Sequence, residues 1–184
     1  MADETPWSRL KSELYSLVGR NPKSNRRVVK FADLDGHHAV LDIGCGPGAA
    51  VRNAAPHVTR AVGVDRSEAM IDIARRRSDG IDNVELMVGG AELLPFPDAS
   101  FDRVWTIHAF HHWDEQDKGM AEALRVLRPD GRFMVVESET NGTHGLSRDG
   151  AKELVKRLEA IGFASGEISK HGGQLVVTGT AAGT

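Results

Sequence analysis

Gly44, Gly46 and Gly48 stand at alternate positions between an apolar run and a helical pattern, and no other feature of the chain constrains the fold as much. The run Ala39–Ile43 reads as a buried strand. The three glycines strip every second side chain from the turn after it and make positive φ available where the chain must reverse. Ala49, Ala50, Val51 and Ala54 then read as a short helix that begins at the turn. A ligand can lie almost on the backbone of such a turn, and glycine turns between a strand and a helix are where open α/β sheets bind ligands. A tight turn with no ligand leaves one residue unexplained. Asp42 puts a carboxylate at the end of an apolar strand, where a charge is costly unless something pairs with it.

The spacing separates several nucleotide readings. A dinucleotide fingerprint is G-x-G-x-x-G, with the pyrophosphate on the helix N-terminus; here the pattern is G-x-G-x-G, and Ala49 stands where the third glycine belongs. A P-loop is excluded because no Gly-Lys-Ser/Thr follows. An acid just before the turn repels a phosphate and suits a ligand that carries an ammonium group. The stretch Val40-Leu41-Asp42-Ile43-Gly44-Cys45-Gly46-Pro47-Gly48 resembles the first motif of class I S-adenosylmethionine-dependent methyltransferases, whose cofactor has an amino-acid tail and no phosphate.

Strand-like and helical patterns continue to alternate. Ala61–Val64 reads as a strand ending in Asp65, and Ser67 caps a helix with Met70, Ile71 and Ala74 inward. Further strands are expected at Val84–Val88, Arg103–Ile107 and Phe133–Val136. A helix from Asp114 has Met120, Leu124 and Leu127 inward, and Arg128-Pro129-Asp130-Gly131 ends it as a turn. Residues 138–150 read as a loop, and Lys152–Ile161 as a helix with an outward Glu153–Arg157 pair. Gly166–Lys170 and Gln174–Thr178, joined by Gly172-Gly173, form an antiparallel hairpin, while the small, polar tail 179–184 frays. The expected fold is therefore α/β, a Rossmann-like, mostly parallel sheet of about seven strands that closes in that hairpin, with helices on both faces. Two helices precede the sheet, one from Thr5 to about Gly19 and a shorter one from Asn21 to about Leu34. Residues 1–36 are read as a helical segment that packs on the core or forms a lid, and residues 37–184 as the methyltransferase domain.

The chemistry-bearing residues follow strand ends. Asp65, 21 positions after Gly44, is placed to accept both hydroxyls of a ribose. An NAD enzyme would want the same acid, and helix capping is its plain role, but Ser67 already supplies a capper. The run Gly89 to Asp102 resembles the segment after the third strand in small-molecule methyltransferases, usually Gly-Asp-Ala-Glu-x-Leu-Pro-Phe, a turn, then Phe-Asp. That resemblance implies that the Ala91 amide meets the adenine edge. Gly90 departs from it, standing where the family usually has an acid for the adenine amino group, and leaves Glu92 or water as the substitute. Leu94, Pro95 and Phe96 have a plainer role as an apolar turn packed under the sheet. With Trp105–Trp113 and Leu127–Gly131 added, the ordered motifs cover roughly residues 38–137. The chain is identified as resembling class I methyltransferases of the ubiquinone-biosynthesis type. The resemblance implies S-adenosylmethionine as cofactor, contacted by Asp42, Gly44, Cys45, Gly46, Gly48, Asp65, Arg66, Met70, Gly90, Ala91, Glu92, Ile107 and His108.

His108, His111 and His112 invite a metal reading, since this spacing would align them on one helix face. No carboxylate-and-cysteine set accompanies them, and no metal is expected. His108 and His111 are instead the candidates for catalysis, with His111 a general base or a substrate donor. His112 and Trp113 are read as packing residues. Should neither histidine act, Glu137 or the N-terminal helix is the next candidate.

The reaction implied is methyl transfer to a small-molecule acceptor. Two rivals are a cofactor-binding scaffold without transferase activity and an NAD(P)-dependent oxidoreductase, the latter disfavoured by the glycine spacing and the absent Tyr-x-x-x-Lys. No Asn-Pro-Pro-aromatic follows the fourth strand, which weighs against DNA adenine or glutamine targets. The chain's 184 residues suit one domain, its net charge of −3 leaves no footprint for nucleic acid, and no polybasic or apolar run offers a membrane anchor. Cys45 is the sole cysteine, so no internal disulfide exists and a reducing cytoplasm is expected. A monomer or a homodimer, whose second copy could wall the substrate, is the expected state.

Overall fold

The computed structural model describes residues 28–140 and 145–184. Seven strands form one sheet: β1 (Ala39–Ile43), β2 (Arg60–Asp65), β3 (Val84–Val88), β4 (Phe101–Ile107), β5 (Leu127–Ser138), β6 (Ser165–His171) and β7 (Gln174–Thr180). Their order is β3-β2-β1-β4-β5-β7-β6, with β1 to β5 parallel and β7 antiparallel to both β5 and β6. The expected mostly parallel sheet with a closing hairpin is what forms.

The helices are α1 (Ala49–Ala54), α2 (Glu68–Arg77), α3 (Gln116–Val126) and α4 (Arg148–Ile161). Because side chains alternate along a strand, each central strand feeds two apolar layers. Val40, Trp105, Met134 and Val176 face Val51 and Ala54 of α1 and Ile71 of α2. Leu41, Val104, Phe133 and Val177 face Met120 and Ala123 of α3 and Leu154 and Leu158 of α4. Residues 28–31 are helical, with Val28 and Ala32 packed into the first layer. Arg103 of β4 holds this segment, donating from Nε to the Ala32 carbonyl at 2.8 Å. The helix expected from Thr5 and the lid reading lie outside the described residues.

Several boundaries differ from expectation. β5 runs twelve residues and takes in Arg128-Pro129-Asp130-Gly131, which reads locally as a turn. Asp130 does adopt a turn-like φ of 60°, and the pairing with β4 jumps from Leu127 to Arg132, so the four residues keep their turn chemistry as a bulge inside the strand's bounds. The tail is tied rather than frayed through Ala181, whose N–H donates to the Gly131 carbonyl at 2.9 Å. Helix α3 starts at Gln116, not Asp114. Helix α4 starts four residues before the sequence suggests, because the Ser147 hydroxyl caps it by accepting from the Gly150 N–H. Glu153 does not pair with Arg157. Arg157 reaches Asp117 of α3 at 2.7 Å, and Glu153 binds Lys156 at 3.3 Å.

Candidate functional site

The strand order reverses between β1 and β4, each having its successor on the opposite side, and a crevice at strand C-termini follows from that reversal. A cavity of about 240 Å³ lies there. Its lining comes from Ile43 and Gly44 after β1, Asp65 and Arg66 after β2, Gly89 to Glu92 after β3, and Ala109, His112 and Trp113 after β4.

The glycine turn forms the floor. Gly44, Gly46 and Gly48 have φ of 76°, 50° and 73°, the left-handed region that explains glycine at all three. A Cβ on Gly44 would lie 2.5 Å from that of Ala109, so only glycine lets the turn pack against that methyl group. Asp65 fixes the turn from the side: its Oδ2 accepts from the Gly46 N–H at 2.8 Å, and its Oδ1 accepts from the Ser67 N–H at 2.9 Å. The Ser67 hydroxyl in turn accepts from the Met70 N–H. One carboxylate thus staples the turn to the start of α2 while it lines the cavity.

The segment after β3 makes the side wall. Helix α3 clamps it: Glu122 accepts from the Leu94 N–H at 2.8 Å, and Arg125 donates to the carbonyls of Leu94 and Phe96. The Arg125 guanidinium beside Glu122 holds that carboxyl below the usual carboxylate range. Leu94 and Phe96 are buried, as an apolar turn under the sheet should be. A Cβ at Gly90 would meet the Glu92 Oε2 at 3.0 Å, so the Glu92 carboxylate fills the space of a side chain at position 90. Glu92 Oε1 accepts from the Asp114 N–H at 3.1 Å, and Arg66 bridges Asp114 at 3.0 Å and Glu92 at 3.6 Å across the edge of the cavity.

The remaining wall corrects the sequence reading. His112 and Trp113, expected only to pack, both line the cavity. Phe110–His112 is a single 3₁₀ turn rather than an α-helix, so the three histidines do not share one helical face. Trp113 packs against Phe110 and Phe133 and still presents a surface to the cavity. Its place after β4 at the reversal point was the available signal.

Asp42 lies behind the floor, 2% exposed and outside the cavity lining. It pairs in register with Trp105 of β4, but neither Asp42 Oδ1 nor the Trp105 indole N–H completes a hydrogen bond among the described residues. Burial pushes the Asp42 carboxyl up to about 8; the nearby indole N–H opposes this, and Asp65 adds to it. The Cys45 thiol is also pushed up, by burial and then by Asp42 and Asp65, which makes it a poor nucleophile.

His108 and His111 converge on a residue that the sequence ranked behind them. Glu137, 2% exposed at the end of β5, accepts from His111 Nδ1 at 3.0 Å, while His108 Nδ1 stands 3.5 Å from its second oxygen. His108 Nε2 lies 3.0 Å from the amide nitrogen of Gln174 on β7. His108 has φ of 54°, an uncommon conformation for a side-chain-bearing residue, and its N–H donates to the Val136 carbonyl. Burial opposes the charge on Glu137, but His108 and His111 hold its carboxyl below the usual range. A carboxylate after the apolar run Phe133–Val136 was a visible signal; Gln174 gave none.

Of the expected cofactor contacts, Gly44, Asp65, Arg66, Gly90, Ala91 and Glu92 line the cavity. Cys45, Gly46 and Gly48 belong to the turn beneath it, Met70 is buried on α2, Ile107 is half-buried at the end of β4, and His108 is engaged by Glu137 and Gln174. Ile43, Gly89 and Ala109 are lining residues that the motifs did not single out.

Residues 41–135 match the methyltransferase domain family. An uncharacterized methyltransferase of Bacillus subtilis, YcgJ, is 37% identical over 141 residues, covering 74% of this chain and 55% of that protein. The 27-O-demethylrifamycin SV methyltransferase of Amycolatopsis mediterranei is 40% identical over 146 residues, covering 73% and 52%. The chain thus spans about half the length of these curated relatives. The crystal structure of a SAM-dependent methyltransferase from Aquifex aeolicus superposes with a TM-score of 0.74 at 21% identity, over 94% of this chain and 97% of that one, a likeness of fold.

Proposed function

This chain belongs to the methyltransferase domain family, and from that premise we propose that it transfers a methyl group from S-adenosylmethionine to a small-molecule acceptor. The observation that carries the reading is the cavity at the strand reversal, floored by a side-chain-free turn and faced by the Asp65 carboxylate. The residues fit the cofactor. Gly44 reaches the cavity lining without a side chain, and a Cβ on Gly46 would meet nothing within 4 Å, so the turn offers open backbone against which a ligand can lie closely. Asp65 is assigned to the ribose hydroxyls, and the Ala91 amide to the adenine edge. The Glu92 carboxylate stands in for the acid missing at Gly90, which favours it over water as the acceptor for the adenine amino group. The ammonium end is assigned to the Gly44–Gly48 turn, above Asp42.

The bound cofactor supplies a methyl group on a positively charged sulfur, already activated for displacement. The chain's own work is then mainly alignment. The Asp65 staple and the α3 clamp hold floor and side wall in fixed relation before any ligand arrives. Trp113 and His112 wall off the end of the cavity next to β4. The rifamycin relative's name specifies a small molecule, which supports a small acceptor here; the ordered motifs favour an enzyme of the ubiquinone-biosynthesis type, and the single cysteine suits a reducing cytoplasm.

Calorimetry tests the reading. S-adenosylhomocysteine should bind in the micromolar range and NADH not at all. Tight NADH binding with no response to S-adenosylhomocysteine would sink it.

A further inference from the structure

We infer that Asp42 carries a proton which the ammonium end of a ligand displaces on binding, so that the protein selects ammonium-bearing adenosyl thioethers more strongly as pH rises. The inference rests on the methyltransferase reading and deepens it. It starts from a contrast between two buried acids. Asp42 and Glu137 are each 2% exposed. Glu137 has His108 and His111 beside it, and they hold its carboxyl below the usual range in spite of burial. Asp42 has a neutral indole and a second carboxylate as neighbours, and its Oδ1 finds no hydrogen-bond partner among the described residues.

The surroundings of Asp42 come from several elements. β4 contributes Trp105, its register partner; β2 contributes Gly63 opposite it and Asp65 from the strand's end. The glycine turn contributes Cys45, whose thiol burial keeps protonated. Helix α1 contributes Arg52, whose Nη1 donates to the Pro47 carbonyl at 2.7 Å and whose charge acts on Cys45. Helix α2 brings apolar Ile71 to the same layer. A buried acid in this company is relieved in one of two ways: it keeps a proton, or it gains a cation. With the groups the chain itself supplies, Asp42 keeps the proton, burial pushing its carboxyl up to about 8.

The turn above it is where a cation can come. Ile43 and Gly44, next along the chain from Asp42, line the cavity, and a Cβ on Gly46 would meet nothing within 4 Å. An ammonium group seated there needs no direct contact with Asp42. An opposite charge favours the ionised carboxyl from about 4–6 Å away, and low-dielectric surroundings strengthen the effect. The exchange balances: the ligand's ammonium keeps all its hydrogens, Asp42 becomes a carboxylate, and its proton leaves for the buffer. The complex then binds one proton fewer than the free protein. Affinity therefore rises with pH, and stops rising once the free carboxyl ionises by itself, at about 8. From about pH 6 to about pH 7 the gain approaches tenfold. An adenosyl thioether without the amino-acid tail displaces nothing and gains nothing, so discrimination between the two grows by the same factor.

The test needs no methyl acceptor. Calorimetry of the full chain with S-adenosylhomocysteine, run in two buffers of different ionisation enthalpy, counts the protons exchanged on binding. At about pH 6.5 close to one proton should be released per ligand bound, and the affinity should climb nearly tenfold from about pH 6 to about pH 7. Methylthioadenosine, which has the adenine, the ribose and the thioether but no ammonium, should bind with almost no proton release and no such climb. This pair of ligands is compared on the wild-type chain, so the outcome does not depend on any variant folding. Asp42→Asn, which keeps the shape and cannot ionise, should bind S-adenosylhomocysteine without releasing the proton. The ligand's own amine titrates alike with both proteins, so the ratio of their affinities across pH isolates Asp42. S-adenosylhomocysteine that binds without proton release overturns the inference alone. Equal release with methylthioadenosine, or undiminished release in Asp42→Asn, assigns the proton to another group and overturns it too. Failure of S-adenosylhomocysteine to bind at any pH overturns the cofactor reading, and the inference with it.

Discussion

Replacing Asp42 with asparagine should change how stability depends on pH, and the size of the change can be worked from burial alone. Asp42 is 2% exposed in the central strand, and its carboxyl titrates at about 8 instead of 3.8. The native state therefore keeps a proton that the unfolded chain releases anywhere between about pH 4 and about pH 8. For an acid whose folded value is raised, this is a cost that grows with pH: none below the unfolded value, complete above the folded one. One proton corresponds to about 1.4 kcal/mol per pH unit, so between about pH 5 and about pH 7 this site removes about 2.7 kcal/mol. That is a large share of the ~5–15 kcal/mol that holds a domain folded. The asparagine side chain keeps the shape and cannot ionise. Urea unfolding of both proteins at these two pH values isolates the site, because every other titrating group is common to both. The wild-type chain should lose about 2.7 kcal/mol relative to Asp42→Asn as the pH rises. Parallel pH dependences, or a wild type that gains on the variant, would refute the reasoning and mean that Asp42 is ionised in the native state through a partner outside the described residues.

Asp65→Asn keeps one acceptor for the Gly46 or Ser67 N–H but gives up the charge, so S-adenosylhomocysteine affinity should fall about tenfold or more with the fold intact, since hydrogen bonds to charged groups are worth ~1.5–3 kcal/mol; unchanged affinity by calorimetry would make Asp65 purely structural. Gly119→Ala would ordinarily stabilise a helix by about 1 kcal/mol, but its Cβ would lie 2.5 Å from the Trp113 ring. The variant should therefore melt lower than the parent and bind S-adenosylhomocysteine more weakly through a displaced cavity wall, and a raised melting temperature would contradict this.

Local pattern determined a great deal. Ala39–Ile43 appears as a strand with the expected bounds, because a strand buried on both faces is apolar at nearly every position and turn residues end it sharply; Val84–Val88 also keeps its bounds, as the partly exposed edge strand. The glycine turn was legible for the same reason: positive φ is a demand on single residues, and only glycine meets it cheaply. Asp65 could be placed at a strand end by counting along the chain. What the sequence left open are contacts between residues far apart in it. Arg128–Gly131 has turn chemistry and forms a bulge within β5, because β4 pairs with Leu127 on one side of it and with Arg132 on the other. Trp113 has the composition of a core residue and also faces the cavity, since which side of a ring meets solvent depends on the elements packed around it. The meeting of His108, His111, Glu137 and Gln174 depends on β5 lying between β4 and β7. That order is set by how whole strands share backbone hydrogen bonds and bury their faces together, and no local period encodes it.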